Sequence, residues 1–596
     1  MIWNTVVDWI RYRPPQGKER FILAENTADD IREARRRAEA KRKEEIERDA
    51  AIGRQEKAEL TKQKGAEGAV KRADWQERER ELEPIVLSYR HGFDAKKSIQ
   101  VSAGLQENIE RLRSCYHAER TDDLKVRFFT LRSRMQAGIA LVYLDGMVDA
   151  KLTSQAVIEP LMLWAWDSEL TQAEDIAEHI RQRFLPMLQA VEGTDFDAII
   201  TTLNKGGGVL FLEGYAKAFL MELAGYPRRS VGKAEIEETV RGSQAAFTES
   251  MRGNISQVRS ILRSENLVAE VTTVGGLNRK ECAILSVAGI VNPSLVREIR
   301  RRLDGVAVDH VFDCGALMQL LTAERTQFPQ MLTTERPDRT ADALMQGRVA
   351  IILEGDPFVA ILPVSLWDFF HSTEDYEMRP PGAFFMRMLR YMGAVVTVLL
   401  PSLYIAMTYF HQEAIPSQLL VVIAGYRQMV PFPSLIEMLL LIVSFEFIRE
   451  ATLRVPGRLG GSISIVGAII LGQAAVTAKL VSPVLVVVVA LTGLASYILP
   501  EYRFAFSLRI CQYVFLLVGG LAGLVGISIV LVLLWIDLAG MASFGMPFLS
   551  PIVPQTAFRD LVGEVWGGEM SLRPDALNPW RIDKMEQVDR QEEGGG

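Results

Sequence analysis

Hydrophobic residues follow one pattern over residues 82–375 of this chain. Short apolar runs, such as 137–144, 209–212 and 348–353, alternate with amphipathic stretches, such as 296–303 and 340–346. Short apolar runs rich in branched side chains predict buried strands, and amphipathic stretches predict helices packed on them. The alternation therefore predicts a mixed α/β region.

An internal repeat divides this region in two. Residues 141–152 (LVYLDGMVDAKL) resemble residues 284–295 (ILSVAGIVNPSL), at an offset of 143 residues. Each copy is typical of a strand, a glycine turn, an Asp or Asn helix cap and a helix. We expect two tandem α/β subdomains, at 85–225 and 226–375. A chance likeness of strand–turn–helix patterns is the alternative.

The pattern changes at about residue 391. Uncharged apolar runs cover 391–410, 459–478, 480–500 and 510–536, and 433–447 is apolar apart from Glu437 and Glu446. Because a bilayer core needs about 20 apolar residues per helix, 376–556 is predicted to be an all-α multi-pass transmembrane bundle. Residues 414–426 are shorter and predict a re-entrant or interfacial segment.

The number of crossings is left open by the last apolar run. Residues 510–536 are long for one span and short for two, and the glycines at 519–526 can break the run into a hairpin. The prediction is therefore five or six crossings.

Charge is distributed as this division requires. Residues 391–556 hold 13 Asp, Glu, Lys and Arg side chains in 166 positions, whereas close to 30% of the other residues are charged. Arginines precede the first span, follow the third apolar segment and precede the last, and 411–418 contains none. By the positive-inside rule, the N-terminal region is predicted to be cytoplasmic.

Composition narrows the classes of function that the chain can have. The net charge of −7 argues against nucleic-acid binding, which needs a basic face. Four widely spaced cysteines indicate neither a disulfide framework nor a zinc site.

Residues 1–84 include a stretch, 29–80, with 30 charged residues in 52, which predicts a solvated helical or partly disordered extension. Residues 557–596 form an acidic tail that we expect to be flexible.

No catalytic signature is found in the sequence. The six histidines form no HExxH pattern, and 205–209 (KGGGV) lacks the spacing of a phosphate-binding loop. We therefore expect no enzyme activity, cofactor or catalytic metal.

Small residues in the apolar segments are candidates for close helix packing. Gly460, Ser464, Ala468 and Gly472 recur every four residues, and Gly519 and Gly523 form a second GxxxG pattern. Packing within one subunit and packing between subunits are both compatible with this spacing.

Two polar residues in the apolar segments are candidates for an ion path. Burial of the Glu437 carboxylate costs roughly several kcal/mol unless the group is paired, protonated or facing water. A structural hydrogen bond or an interfacial position is the alternative role. For Gln473, a hydrogen bond between helices is the alternative to an ion contact.

A series of motifs resembles the A subunits of GerA-type spore germination receptors. The motifs occur in the family's order and include 289–293 (GIVNP), 334–339 (TERPDR), 354–363 (EGDPFVAILP), 430–433 (VPFP), 445–451 (FEFIREA) and 543–551 (SFGMPFLSP). The resemblance covers roughly residues 100–556. Thr477 and Lys479 depart from it, since the family usually has Glu and Gly there.

The resemblance implies a function that composition does not. Such A subunits lie in the spore inner membrane and work with a transporter-like B subunit, which senses the nutrient, and a lipoprotein C subunit. Nutrient binding triggers cation release, and the A subunit is expected to oligomerise and supply the ion-conducting part. A scaffold that transmits the signal without conducting is the alternative.

Overall fold

The computed structural model describes residues 99–130, 138–163, 172–183, 190–225, 242–322, 326–454 and 472–553, with a few single positions between 234 and 239 and between 574 and 579. The predicted extension 1–84 and most of the tail 557–596 lie outside the described residues, as do Gly460, Ser464 and Ala468.

Two five-stranded sheets form the part before residue 375. The first contains β1 Leu124–Thr130, β2 Gly138–Leu144, β3 Val191–Gly193, β4 Gly208–Leu212 and β5 Ala218–Met221. The second contains β6 Leu267–Val274, β7 Lys280–Val287, β8 Leu332–Thr334, β9 Val349–Leu353 and β10 Val359–Leu362. The strand orders are β1-β2-β4-β5-β3 and β6-β7-β9-β10-β8. The identical order confirms the predicted internal repeat.

Helices cover these sheets. They are α1 Leu105–Cys115, α2 Ala150–Thr153, which continues through the π-helical turn Ser154–Ile158 into α3 Glu159–Leu163, α4 Ala173–Arg183, α5 Phe196–Asn204, α6 Met251–Leu262, α7 Pro293–Asp304, α8 Cys314–Leu321, α9 Pro337–Met345 and α10 Glu374–Glu377. The repeat extends to their caps, since Asp149 caps α2 and Asn292 caps α7 through side-chain oxygens. Gly146 and Gly289 precede these caps, each with φ of 77°.

The strands of both sheets run antiparallel to their neighbours. Every pairing between the described strands of the two sheets is antiparallel. Both faces of the central strands are nevertheless buried. In β2, Ile139 and Leu141 pack in one cluster, whereas Ala140 and Val142 pack in another on the opposite face. This explains why the strand is a continuous apolar run in the sequence.

The two sheets contact each other through ionic and backbone bonds. Arg259 of α6 forms a buried bidentate pair with Asp123, at 2.5 and 2.9 Å. The backbone N–H of Asp122 donates to the carbonyl of Ala269 in β6 at 3.1 Å. The two subdomains are thus joined by directional contacts close to the edge strands.

Long apolar helices follow residue 380. They are α11 Pro380–Phe410, α12 Ser417–Arg427, α13 Ser434–Arg454, α14 Pro483–Tyr497 and α15 Tyr502–Gly540. In the described residues, two helices, at Pro381–Phe410 and Tyr502–Gly540, are long and apolar enough to cross a membrane, and Pro483–Tyr497 is a shorter apolar helix. The count of five or six crossings stays a prediction.

The chain reverses direction inside α15, at Gly523. Gly523 has φ of 61° and ψ of −147°, outside the helical region. Ser507, near the start of α15, and Ser543, just after its end, donate to the carbonyls of Gln327 and Gln330. These acceptors are three residues apart, whereas a straight helix would separate the serines by about 54 Å. α15 is therefore a helical hairpin, and its turn lies beside Phe410 at the end of α11.

The segment after the hairpin returns to the sheets. A short antiparallel pair, β11 Ala542–Ser543 and β12 Met546–Pro547, follows α15. The N–H of Val364 donates to the Ser543 hydroxyl at 3.0 Å, and the N–H of Leu366 donates to the Phe548 carbonyl at 2.8 Å. Residues 541–553 therefore lie on the same side of the apolar helices as the second sheet.

Candidate functional site

The junction between the second sheet and the apolar helices contains a buried ionic centre. Asp375 lies in α10, and its carboxylate is completely buried. Arg387 and Arg390, both on α11, approach one of its oxygens at 3.1 and 2.7 Å. Arg390 also donates to the carbonyl of Phe370 at 3.0 Å. Two charged contacts thus fix the start of the first long helix to the end of the two-sheet region.

The charge on Asp375 is favoured by its partners. Burial alone would raise the pKa of this carboxyl, but the hydrogen bond and charge of Arg390, with the charge of Arg387, hold it below its usual value. Burial and the positive charge of Arg387 lower the pKa of the neighbouring His371 to about 3. His371 is therefore neutral at physiological pH. The sequence does not reveal this centre, because separations of 12 and 15 residues match no local motif.

A second ion pair stabilises the same junction. Arg348 binds Asp368 through two bonds of 2.9 and 2.8 Å. Asp368 also accepts from the backbone N–H of Ser365 and forms a capping box with it. Burial opposes the charge of Asp368, but Arg348 holds its pKa below the usual value. The short helix Leu366–Phe370 is thereby fixed in front of the apolar helices.

Aromatic rings fill the space between this short helix and α15. The ring of Phe369 stacks on Phe504 at a centroid distance of 5.3 Å. The ring of Phe370 meets Phe504 edge-on at 5.1 Å and Tyr391 of α11 at 4.8 Å. Aromatic pairs of this geometry add roughly 0.5–1.5 kcal/mol each beyond their buried area. The short helix therefore packs against both long helices at once.

Glu501 is a buried carboxyl at the N-terminus of α15. The hydroxyl of Thr333 in β8 donates to it at 3.4 Å. Next along β8, the hydroxyl of Thr334 donates to Glu237, which also pairs with Arg339. Burial, assisted by the negative charge of Glu237 and opposed by Arg339 and Arg503, raises the pKa of Glu501 to about 7.

We expect this carboxyl to make stability depend on pH. The folded state binds its proton more tightly than the unfolded chain, whose pKa is near 4.5. The stabilising contribution is therefore complete below about pH 4.5 and is lost as the pH rises to about 7. In thermal unfolding of the detergent-solubilised chain, Glu501→Gln should remove this pH dependence. At pH 8, the unfolding temperature of the variant should exceed that of the wild type. The exposed Glu281→Gln serves as control, and equal pH slopes in all three proteins would refute the assignment.

Glu437 lies between two of the apolar helices. It is 1% exposed, on α13, and it accepts a hydrogen bond from the backbone N–H of Ser482. Ser482 is the N-cap residue of α14. A carboxylate at a helix N-terminus satisfies a free N–H and interacts favourably with the helix dipole. This geometry favours the structural alternative over the ion-path role, and substitutions at Glu437 can distinguish the two.

The other predicted residues lie in different surroundings. Gln473 is exposed, whereas Glu437 is buried, so the two candidates lie in different environments. A side chain at Gly472 would be 3.8 Å from Val486 of α14. Gly519 approaches the carbonyl of Ser402, and Gly523 approaches Phe410, so both pack against α11 of the same chain. Their role between subunits stays a prediction.

A second charged cluster joins three apolar helices near their sheet-proximal ends. Arg449 of α13 pairs with Glu446 at 3.0 Å, donates to Ser496 of α14 at 2.8 Å, and lies over the ring of Tyr497. Arg509 of α15 approaches the same Glu446 at 3.1 Å. The pair of Glu446 and Arg449 is local to α13, whereas Arg509 brings α15 into the cluster.

The fold and the junction define a class of protein. Two antiparallel sheets are joined by buried ion pairs and aromatic packing to apolar helices, two of which are long enough to cross a membrane. This is the organisation of a membrane-associated protein in which a two-sheet region packs directly against long apolar helices. In the described residues, no group of three or more His, Cys, Asp or Glu side chains is arranged to hold a metal ion.

Comparison with known proteins identifies the family. The family model described as "Bacillus/Clostridium GerA spore germination protein" matches residues 110–575. The chain belongs to this family, whose characterised members are subunits of germinant receptors and are not known as enzymes.

Several relatives cover most of the chain. Spore germination protein KA of Bacillus subtilis is 33% identical over 83% of this chain and 90% of its own length. Spore germination protein A1 of the same organism is 33% identical over 69% of this chain and 83% of its own length. A solved structure, the N-terminal domain of the A subunit of the Bacillus megaterium spore germinant receptor GerK3, is 25% identical, with a TM-score of 0.35. The alignment covers 45% of this chain and 97% of that structure.

Proposed function

We propose that this chain is the A subunit of a nutrient receptor in the spore inner membrane, and that several copies form a nutrient-gated cation channel. The proposal is supported by the match to the GerA family over residues 110–575. The partners are a transporter-like B subunit that senses the nutrient and a lipoprotein C subunit. The cytoplasmic placement of the two-sheet region and five or six membrane crossings belong to the same proposal.

The junction suggests how a signal reaches the membrane helices. Asp375 fixes the start of α11, and Gln327 and Gln330 bind the two ends of the α15 hairpin. A displacement of the second sheet would therefore move α11 and both arms of the hairpin together. Such movement is a means of opening a path between copies.

A non-conducting scaffold is the alternative function. The observation in its favour is the contact of Glu437 with Ser482 of the same chain, because a carboxylate occupied in capping a helix is less available to an ion. The scaffold requires no self-association, whereas the channel requires several copies.

Self-association tests the two functions against each other. Copies of the full chain carrying two different affinity tags are expressed together with the B and C subunits and purified through one tag in mild detergent. The channel predicts that the second tag is recovered with the first. Recovery of a complex with only one copy of this chain would contradict the channel and leave the scaffold.

Paired substitutions test the role of Glu437. Glu437→Gln keeps an oxygen that accepts from Ser482, so we expect normal assembly and nutrient-triggered cation release within about twofold of the wild type. Glu437→Ala removes the cap and should cost about 1–2 kcal/mol of stability. A selective fall in release by the Gln variant, with assembly unchanged, would instead place Glu437 on the ion path.

A further inference from the structure

A cavity lies where the second sheet region meets the first turns of α15. Its volume is about 790 Å³. One wall is formed by α8 and the segment 326–331, and the other by the start of α15, from Tyr502 to Ser507. Cavities of this size hold small molecules or lipid headgroups. Since α15 is a candidate membrane helix, the cavity opens at the level where that helix would enter the bilayer.

The charge in the cavity is positive. Arg503 is the one charged residue among those that line it. Its guanidinium lies beside Gly315, at the start of α8. The remaining polar lining consists of amides and hydroxyls, including those of Gln319, Gln327 and Thr322. A guanidinium with amide donors nearby suits a phosphate oxygen.

A buried donor lies at the inner wall. Gln330 is 4% exposed and lines the cavity, and its side-chain nitrogen has no hydrogen-bond partner among the described residues. A buried amide without a partner costs about 1–3 kcal/mol in general. Such a group is normally satisfied by water, an ion or a ligand.

The apolar lining points to the membrane as the source of the ligand. Tyr502 and Phe506 line the cavity and expose about half of their surfaces, 50% and 47%. Aromatic side chains at the ends of membrane helices lie at headgroup level. Phe328 and Met331 add apolar surface deeper in the cavity. A ligand with an anionic head and an apolar body matches this lining, whereas a free anion would use only part of it.

We propose that the cavity binds an anionic glycerophospholipid, with its phosphate on Arg503 and the beginning of its acyl chains along Tyr502 and Phe506. The site requires that α15 enters a bilayer, but it does not require ion conduction by this chain. It adds a lipid contact to the same 326–331 segment that binds both ends of the hairpin. Anionic lipid would thereby stabilise the junction.

The test uses the full chain in mild detergent, with phosphatidylglycerol as the probe. The rise in unfolding temperature is followed as the lipid is added, and the wild type should show a saturable rise. Arg503→Gln should raise the half-saturating lipid concentration at least about fivefold, the value expected for loss of one charge near a headgroup. Arg379→Gln is the matched control, since Arg379 precedes the first apolar helix outside the cavity.

A second variant and two further ligands complete the test. Gln319→Glu places a negative charge at an exposed position of the cavity wall and should weaken phosphatidylglycerol binding while the fold is retained. Phosphatidylcholine and glycerol phosphate should each fail to raise the unfolding temperature. Equal binding by Arg503→Gln and Arg379→Gln would overturn the proposal. So would equal stabilisation by phosphatidylcholine, or by glycerol phosphate, which would indicate a site for free phosphate.

Discussion

Asp375→Asn should destabilise the junction more than any other single exchange of a carboxylate for an amide in the described residues. The substitution leaves Arg387 and Arg390 buried without their shared counter-charge. Loss of one partner of a buried ion pair typically costs about 3–5 kcal/mol. We expect a lower unfolding temperature in detergent and faster proteolysis near residues 373–380, because α11 is no longer fixed to the sheet region.

The matched control is the same exchange at a solvated ion pair. Asp145 pairs with Arg252, and both side chains are partly exposed, at 31% and 60%. Solvated pairs contribute about 0–1 kcal/mol, so Asp145→Asn should be nearly neutral. Equal effects of the two substitutions would show that the Asp375 centre has no special role in holding the junction.

Gly523→Ala should destabilise the α15 hairpin. The backbone at Gly523 has φ of 61° and ψ of −147°, a conformation that an L side chain adopts at a cost of about 1–3 kcal/mol. A Cβ atom there would also lie 3.0 Å from Cγ of Phe410, at the end of α11. We expect reduced thermal stability and weaker packing of α15 on α11, which is measurable by disulfide trapping between introduced cysteines.

Gly425→Ala provides the control for this substitution. Gly425 is inside α12, and an added Cβ meets nothing within 4 Å. Alanine is favoured over glycine in a helix by up to about 1 kcal/mol, so this variant should be neutral or slightly stabilised. If Gly523→Ala were as stable as Gly425→Ala, that result would contradict the reversal of the chain at residue 523.

Local features of the fold could be predicted from the sequence. Strands β2, β4 and β9 can be predicted from the sequence because both of their faces are buried, which leaves an uninterrupted apolar run. Asp149 and Asn292 marked helix starts, since capping needs only a side chain and the next few backbone N–H groups. The repeat can be recognised in the sequence because both subdomains use the same turn and the same type of helix cap.

Features that depend on distant residues could not be predicted. Antiparallel pairing is not encoded in the apolar runs, because a doubly buried strand has the same composition in either direction. The Asp375 centre and the contact of Glu437 with Ser482 join residues that only the tertiary fold brings together. The glycines near 519–526 indicated a possible break, but the position of the reversal at Gly523 depends on the fit against Phe410.

One departure from the family pattern has a physical explanation in the backbone. The resemblance implies glycine at position 479, where this chain has lysine. Lys479 has φ of 55°, in the left-handed region that glycine adopts without a steric penalty. A glycine would suit this turn, and Lys479 occupies it with some strain.

Cation flux tests the central claim that this chain supplies a nutrient-gated path. Receptor complexes with the B and C subunits are reconstituted in liposomes loaded with K⁺ and Na⁺, with this chain present or omitted, and release is recorded after candidate nutrients are added. We predict nutrient-dependent release only when this chain is present. A correctly assembled complex that contains this chain, binds nutrient and releases no cation would contradict the account.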